Sequence, residues 1–319
     1  MTFLSPLFLS KNRTELLCLL ILVALPFNQA WSSSEKEDVQ HLEVQSPANL
    51  ESAPAQRIIS LAPHITEMLF SAGAGDRVVG VVAYSDFPQA ALGIESVGNY
   101  HAINMEKVIL LNPDLIIAWK GGNRLKDIEK LQQLGFKILY SEPYKLTDIP
   151  QEIRNLGQQL QTQNIANKVA THLENKLQSL VQKHQAKPKV SAFYQIWNSP
   201  LMTINGAQSI SQAMNICGAT NIFADLPMLA AEVSIESVIE QNPDAILLGG
   251  KKEMQQGWLK SWQKWPTINA VKSQHIFLLE ADNLQRPTAR LIESIEGLCQ
   301  KIDQVRVAKH HQMPVSKDW

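Results

Sequence analysis

The chain has 319 residues, enough for two domains that each bury a core of their own. Its 29 basic and 30 acidic side chains leave a formal charge of −1, which excludes the basic footprint of a nucleic-acid or anionic-membrane binder. With 45% hydrophobic and 18% charged residues, the composition is that of a globular, soluble protein.

The N-terminus departs from this average. Lys11 and Arg13 precede the apolar run LLCLLILVALPF (Leu16–Phe27), and small and polar residues follow. That three-part pattern predicts a secretory signal over residues 1–31, cleaved near Ala30 or Ser32, because twelve apolar residues fall short of the ~20 a spanning helix needs. An uncleaved anchor is the alternative. Residues 32–56 are polar and cannot bury enough apolar surface to fold, so a disordered tether is expected there. Export changes the meaning of the cysteines. Cys18 lies inside the apolar run, which leaves Cys217 and Cys299 as a disulfide pair in an oxidising compartment, or else as two buried thiols. Neither has a Cys or His at metal-site spacing.

From Arg57 the pattern alternates. RIISL reads as a strand, PHITEMLFSAGAG as a helix stopped by glycines, and RVVGVV as a second strand. NMEKVILL is a short helix capped by Asn104, and Pro113 ends it by biasing Asn112 away from helix. LIIAW follows as a buried strand, RLKDIEKLQQLG as an amphipathic helix and FKILYS as another strand. Residues 148–187 carry no strand signal; apolar residues recur at helical steps, as one long helix or two pieces broken near QTQN. The alternation then restarts. VSAFYQIW is a strand, SISQAMNICGATNIF parallels HITEMLFSAGAGDRV, and a last helix runs from near Pro287 to about Ile302. Two similar α/β lobes with parallel-type sheets, each of three α/β/α layers, are therefore expected at 57–147 and 188–305. One long backbone helix joins them, and a polar tail follows at 306–319.

A repeat supports the duplication. MEKVILLNPDLII (Met105–Ile117) returns as IESVIEQNPDAILL (Ile235–Leu248), with Glu106 and Glu236 at matching offsets 130 residues apart. Recurrence of the lobe explains the strands and turns but not the recurrence of an exposed glutamate.

Enzyme motifs are missing. AGAGDRVVG is not Gly-x-Gly-x-x-Gly and follows a helix where a dinucleotide turn would open one; no Walker loop or Gly-x-Ser-x-Gly elbow occurs. A non-enzymatic binder is expected.

At this point SLAPHITEMLF, YSDFP (Tyr84–Pro88), NPDLIIAWKGGN and YQIWNSPLMTING show that the chain resembles the periplasmic substrate-binding proteins of ABC importers, of the class III type with a rigid helix between two lobes. The subgroup handles cobalamin, iron siderophores and haem, and these motifs look most like its vitamin B12-binding branch. The resemblance covers roughly Arg57 to Asp303. It implies a periplasmic monomer with no cofactor of its own. Cobalamin or a related corrinoid would be its cargo and an ABC importer permease dimer, with its ATPase subunits, its partner. It further implies that Glu106 and Glu236 dock on arginines of that dimer, a pseudo-twofold surface meeting a true twofold one. Alternatively, both merely complement helix dipoles.

A two-lobed binder holds its ligand between the lobes, on loops at strand ends. Tyr84, Tyr100, Trp119 and Trp197 stand at such places and would wall a flat corrin ring, though each could instead fill a core. Gly121 and Gly122 let backbone approach a bulky ligand. Asp282 and Arg286 follow the last strand, as polar cleft residues do in the family; a surface ion pair is the other reading. The chain departs from the branch at Ala230 and Ala231, where an aromatic wall is often found. Trp258, Trp262 and Trp265 recur at helical spacing and are read as core. His64 is the most tempting metal ligand, but a lone histidine at a helix start is more often a hydrogen-bonding loop residue, so no metal site is assigned. His310 and His311 lie in the tail, which disfavours a bare zinc or manganese carrier. The sibling alternative, a haem or iron-siderophore binder, would draw on Arg124 and Arg286 at most.

Overall fold

The computed structural model describes residues 53–99 and 101–312. The expected signal, nearly all of the tether, and Tyr100 lie outside the described residues, as do the side chains of His310 and His311. Among the described residues no helix is long and apolar enough to cross a membrane.

The first lobe contains β1 (Ile58–Ser60), α1 (Pro63–Ser71), β2 (Val78–Val81), α2 (Met105–Leu111), β3 (Leu115–Trp119), α3 (Leu125–Gln133) and β4 (Ile138–Ser141). Its sheet is parallel in the order β2-β1-β3-β4. Two helices follow, α4 (Asp148–Gln159) and α5 (Gln163–His184). The second lobe repeats the first with β5 (Val190–Gln195), α6 (Ser209–Ile216), β6 (Ala219–Asn221), α7 (Ile235–Gln241), β7 (Ala245–Leu248), α8 (Lys252–Trp262) and β8 (Ile276–Leu278). Its sheet is parallel in the order β6-β5-β7-β8, the same winding as the first. The last helix is α9 (Ala289–Gln312).

The Asn-Pro-Asp repeat explains itself locally. Asn112 and Asn242 end α2 and α7 in the left-handed region, at φ 43° and 42°, which asparagine tolerates better than most residues. Each proline is buried, and each aspartate clasps the turn to the first strand of its sheet. Asp114 accepts from the Arg57 amide at 3.0 Å while its own amide donates to the Arg57 carbonyl at 2.9 Å. Asp244 does the same with Ser191, at 3.0 Å in both directions.

The connection between the lobes is not a single helix but takes the other expected form, two pieces broken at QTQN. Gln161 adopts φ 55° and the chain breaks, so α4 folds back along α5, the 22-residue helix. Gly157 permits the close approach, since a Cβ there would collide with Ala166. The last helix also runs past its expected end: Ile302 and Val305 remain on its buried face, and Arg306 donates to the carbonyls of Pro188 and Cys217, both at 2.8 Å. Residues 306–312 are thus helix and not tail. Cys217 and Cys299 form a disulfide, with Cα atoms 4.6 Å apart, that ties α9 to the end of α6.

One hydrophobic core runs from Ile58 and Ile65 through Leu173 on α5 into Tyr194, Met214 and Leu298, so the lobes share an interior. Each lobe adds an outer cluster; that of the second holds Trp258 and Trp262. Trp265 lies beyond α8 and is 37% exposed, so the tryptophan spacing marks core at two positions of three.

Of the polar links that cross between the lobes, two start from the same position of the repeat. Glu67 on α1 is 2% exposed and accepts from Arg286 (3.1 Å), Thr288 (2.8 Å), Arg290 Nε (2.9 Å) and Arg290 Nη2. Gln212 on α6 reaches the other way: its Oε1 accepts from the Leu146 amide at 3.1 Å and its Nε2 donates to the Tyr144 carbonyl at 3.2 Å.

Candidate ligand-binding site

The cleft between the lobes has two compartments. The first, about 480 Å³, takes its walls from both lobes: Pro63 and His64 at the start of α1, Trp119 at the end of β3, Gly121, the loop Glu142–Tyr144, and opposite them Ala207–Ser209, Leu229 and Gln285–Pro287. The second, about 550 Å³, belongs to the second lobe and is largely apolar, lined by Ile196, Trp197, Pro200, Met202, Ile204, Ile210 and Ala230. Gln208 and Gln285 border both compartments, so the two adjoin.

Local sequence sets these walls. Strand β3 delivers Trp119 at its C-terminal end, and the Trp119 amide donates to Asn123 Oδ1 at 2.7 Å to close the loop. A side chain at Gly122 would collide with the Trp119 ring, so glycine there is what lets the indole lie down. In the second lobe Trp197 starts a short hairpin (Trp197–Asn198 with Leu201–Ile204), which a third strand, Ala230–Glu232, extends. Strand β5 stops at Gln195, short of the Trp197 that its pattern predicts; the Asn-Ser-Pro turn after Trp197 is the signal for the reversal. Trp197 is 45% exposed, donates its indole N–H to the Ser199 carbonyl at 2.9 Å and packs edge-on against Trp258.

The structure brings Trp119, Gly121 and Arg286 into the first compartment and Trp197 into the second. Gly122 acts beneath Trp119. Tyr84 lines neither compartment. It is 62% exposed with φ 68°, and the Lys251 ammonium of the opposite lobe lies 5.4 Å from its ring centroid. Asp282 is exposed and outside both compartments; it accepts from Arg286 Nη2 at 3.2 Å. Arg286 also donates to Asp86 at 2.8 Å, so one guanidinium at the cleft wall holds three carboxylates from two lobes. Ala230 lines the second compartment at the position where an aromatic was missed, and Ala231 is buried. Arg124 lies apart from both compartments and donates to the His101 carbonyl at 2.8 Å.

Burial governs the titration here. His64 is 6% exposed, and enclosure first, then the Arg286 charge, pull its imidazole down to about 4, so the ring is neutral at pH 7. Trp119 meets it edge-to-face at 5.3 Å and 86°. Glu142, Tyr144, Gln208, Ser209 and Gln285 line the cleft and lie outside the set expected from the sequence. The repeat held a signal for one of them, since Ser209 aligns with His64.

Glu106 and Glu236 are both exposed in the first turns of α2 and α7, and neither makes an ion pair among the described residues. The helices are capped alike, Asn104 accepting from the Lys107 amide at 3.0 Å and Ser234 from the Ser237 amide at 3.1 Å.

Comparison with known proteins adds to this geometry. Residues 58–283 match the family model described as periplasmic binding protein. The vitamin B12-binding protein of Vibrio vulnificus (strain CMCP6) is 40% identical over 252 residues, 79% of this chain and 92% of that protein. The crystal structure of the periplasmic vitamin B12 binding protein BtuF of Vibrio cholerae superimposes with a TM-score of 0.72 at 36% identity, over 80% of this chain and 99% of that one. The periplasmic heme-binding protein RhuT from Roseiflexus sp. RS-1 shares the fold at 21% identity, with a TM-score of 0.69 over 79% of this chain and 99% of that one. With two equally wound lobes, a shared core and a walled cleft between them, the chain belongs to the periplasmic binding protein family.

Proposed function

We propose that this chain is a periplasmic carrier that captures cobalamin or a closely related corrinoid in the cleft and delivers it to an ABC importer. One observation carries the reading: two adjoining compartments of about 480 and 550 Å³ walled by Trp119 from one lobe and Trp197 from the other. A corrin is a wide apolar disc fringed with amides. Indole walls suit its face, and Gln208, Gln285 and Glu142 offer partners to its rim. The relatives named for vitamin B12 binding, at 36–40% identity over most of their length, support the same cargo. Likeness to heme-binding proteins is of fold alone.

The carrier works without chemistry. A signal over residues 1–31 exports it, residues 32–56 act as tether, and the lobes with their helical connection hold the cargo as a monomer. Glu106 and Glu236 then dock on the two permease subunits. Arg–carboxylate pairs at such a rim orient docking more than they add affinity.

Equilibrium titration of the exported chain with cyanocobalamin, dicyanocobinamide, haemin and a ferric siderophore tests the cargo. A corrinoid at a hundredfold excess over its Kd should also stabilise the fold by about 2.7 kcal/mol without product formation. Tight haemin binding with no corrinoid binding would overturn the reading.

A further inference from the structure

Strands β3 and β4 run side by side and end level, with Trp119 paired to Ser141, so Glu142 leaves its strand beside the cleft indole. Gly121 lies between the two: a Cβ there would strike the Glu142 carboxylate, with the Trp119 indole nitrogen as the next residue met. The carboxylate therefore stands beside the Trp119 indole in the wall of the first compartment. Among the described residues it makes no ion pair. The neighbouring Tyr144 phenol hydrogen-bonds to it, which holds that exposed phenol above its ordinary range. Arg286, the other charged residue of the lining, offers no balance, because its guanidinium already donates to Glu67, Asp86 and Asp282. Gln208, Ser209 and Gln285 complete the polar lining and carry no charge. The repeat supplies a control. Ile138 and Ile276 pair with the matching residues Ile116 and Ile246, so Glu280 is the counterpart of Glu142. Glu280 lines neither compartment and accepts from Asn283 at 3.3 Å.

We propose that Glu142 is the specificity-determining residue of the first compartment: it accepts N–H donors from the carboxamide fringe of the cargo and repels cargo whose fringe is carboxylate. The proposal rests on the corrinoid reading above and names the part of the corrinoid that is read, its rim. A carboxylate offers acceptors alone, so it matches an amide N–H and meets a second carboxylate as an unpaired like charge. A site selects by such repulsion as well as by its good contacts. Flat cargo laid against Trp119 brings its edge to Glu142, where an amide finds a partner and an acid does not. Macrocycles with acid groups at their edge, haem with its propionates among them, form the class rejected.

Mild acid hydrolysis of cyanocobalamin yields its b-, d- and e-monocarboxylates, in each of which one rim propionamide has become a propionate. Equilibrium titration at pH 7 compares them with cyanocobalamin on the same protein. The wild type should bind at least one of them about tenfold or more weakly than cyanocobalamin. That ratio should fall to within about twofold in Glu142→Gln, whose amide can donate to the new carboxylate, and keep its wild-type value in Glu280→Gln. Because the penalty is one of charge, it should also shrink in the wild type between about 10 mM and about 1 M salt, as the screening length drops from roughly 30 Å to 3 Å. That measurement needs no variant to fold. Monocarboxylates all bound as tightly as cyanocobalamin, or a penalty that survives either Glu142→Gln or high salt, overturn the proposal and leave corrinoid capture intact. A wild type that binds neither cyanocobalamin nor dicyanocobinamide defeats the corrinoid reading itself, and the same titration reports it separately.

Discussion

His64 and Glu67 sit one turn apart on α1, and burial treats them in opposite ways. Glu67 meets donors from Arg286, Thr288 and Arg290, whereas His64 meets an indole edge and a nearby cation. With its folded value near 4 against an ordinary 6.5, His64 takes up a proton more readily unfolded than folded. Its contribution to stability is therefore complete above pH 6.5 and lost as pH falls through 6.5 towards 4, a loss of about 3 kcal/mol. Urea unfolding at pH 7 and pH 4 should show this in the wild type and a smaller loss in His64→Gln; parallel losses in both would refute the assignment. At this scale the sequence was partly legible. Trp119 and Trp197 stand where strands end, and that location is visible without coordinates. Gln208, Gln285 and Glu142 are polar residues in loops, with no period to mark them, and only the folded chain brings them to one cavity. Tyr84 met the strand-end rule too, yet its left-handed backbone places the ring beside Lys251 and outside both compartments.

At the level of elements, Glu67 fastens α1 to Arg290 on α9 and to Arg286 and Thr288 just before it. Removing one partner of a buried, fully bonded ion pair leaves the others uncompensated, which costs about 3–5 kcal/mol. Glu67→Ala should lower stability by that amount, and Glu67→Gln by less, since an amide oxygen can still accept. Denaturant midpoints of the two variants check it; a loss below about 1 kcal/mol for Glu67→Ala would show that the cluster is not what holds the lobes. Elements with strong periodicity or a repeated turn were readable in advance, and both sheets follow from the alternation. The break near QTQN was one of two open readings, and a left-handed Gln161 decides it. Two departures have local causes: a buried Val305 carries α9 beyond its expected stop, and the hairpin after β5 is too short for a pattern of alternating residues to announce it.

For the whole molecule, the duplicated glutamates are the feature that packing does not explain. The Asn-Pro-Asp turns recur because each pins a helix to its sheet, but Glu106 and Glu236 are exposed and make no ion pair among the described residues. If they serve docking, the double charge reversal Glu106→Arg with Glu236→Arg should leave corrinoid affinity unchanged within about twofold and abolish uptake by the importer reconstituted in vesicles. Undiminished uptake would return both residues to the lesser role of balancing helix dipoles.

The paired links of Glu67 and Gln212 have a consequence for traffic. A clasp fastened at two points would give a receiving gate little change of outline by which to tell a laden courier from an idle one. Vacant molecules would then queue for the same berth, and the flux of nutrient would follow the proportion of laden couriers and not their total number.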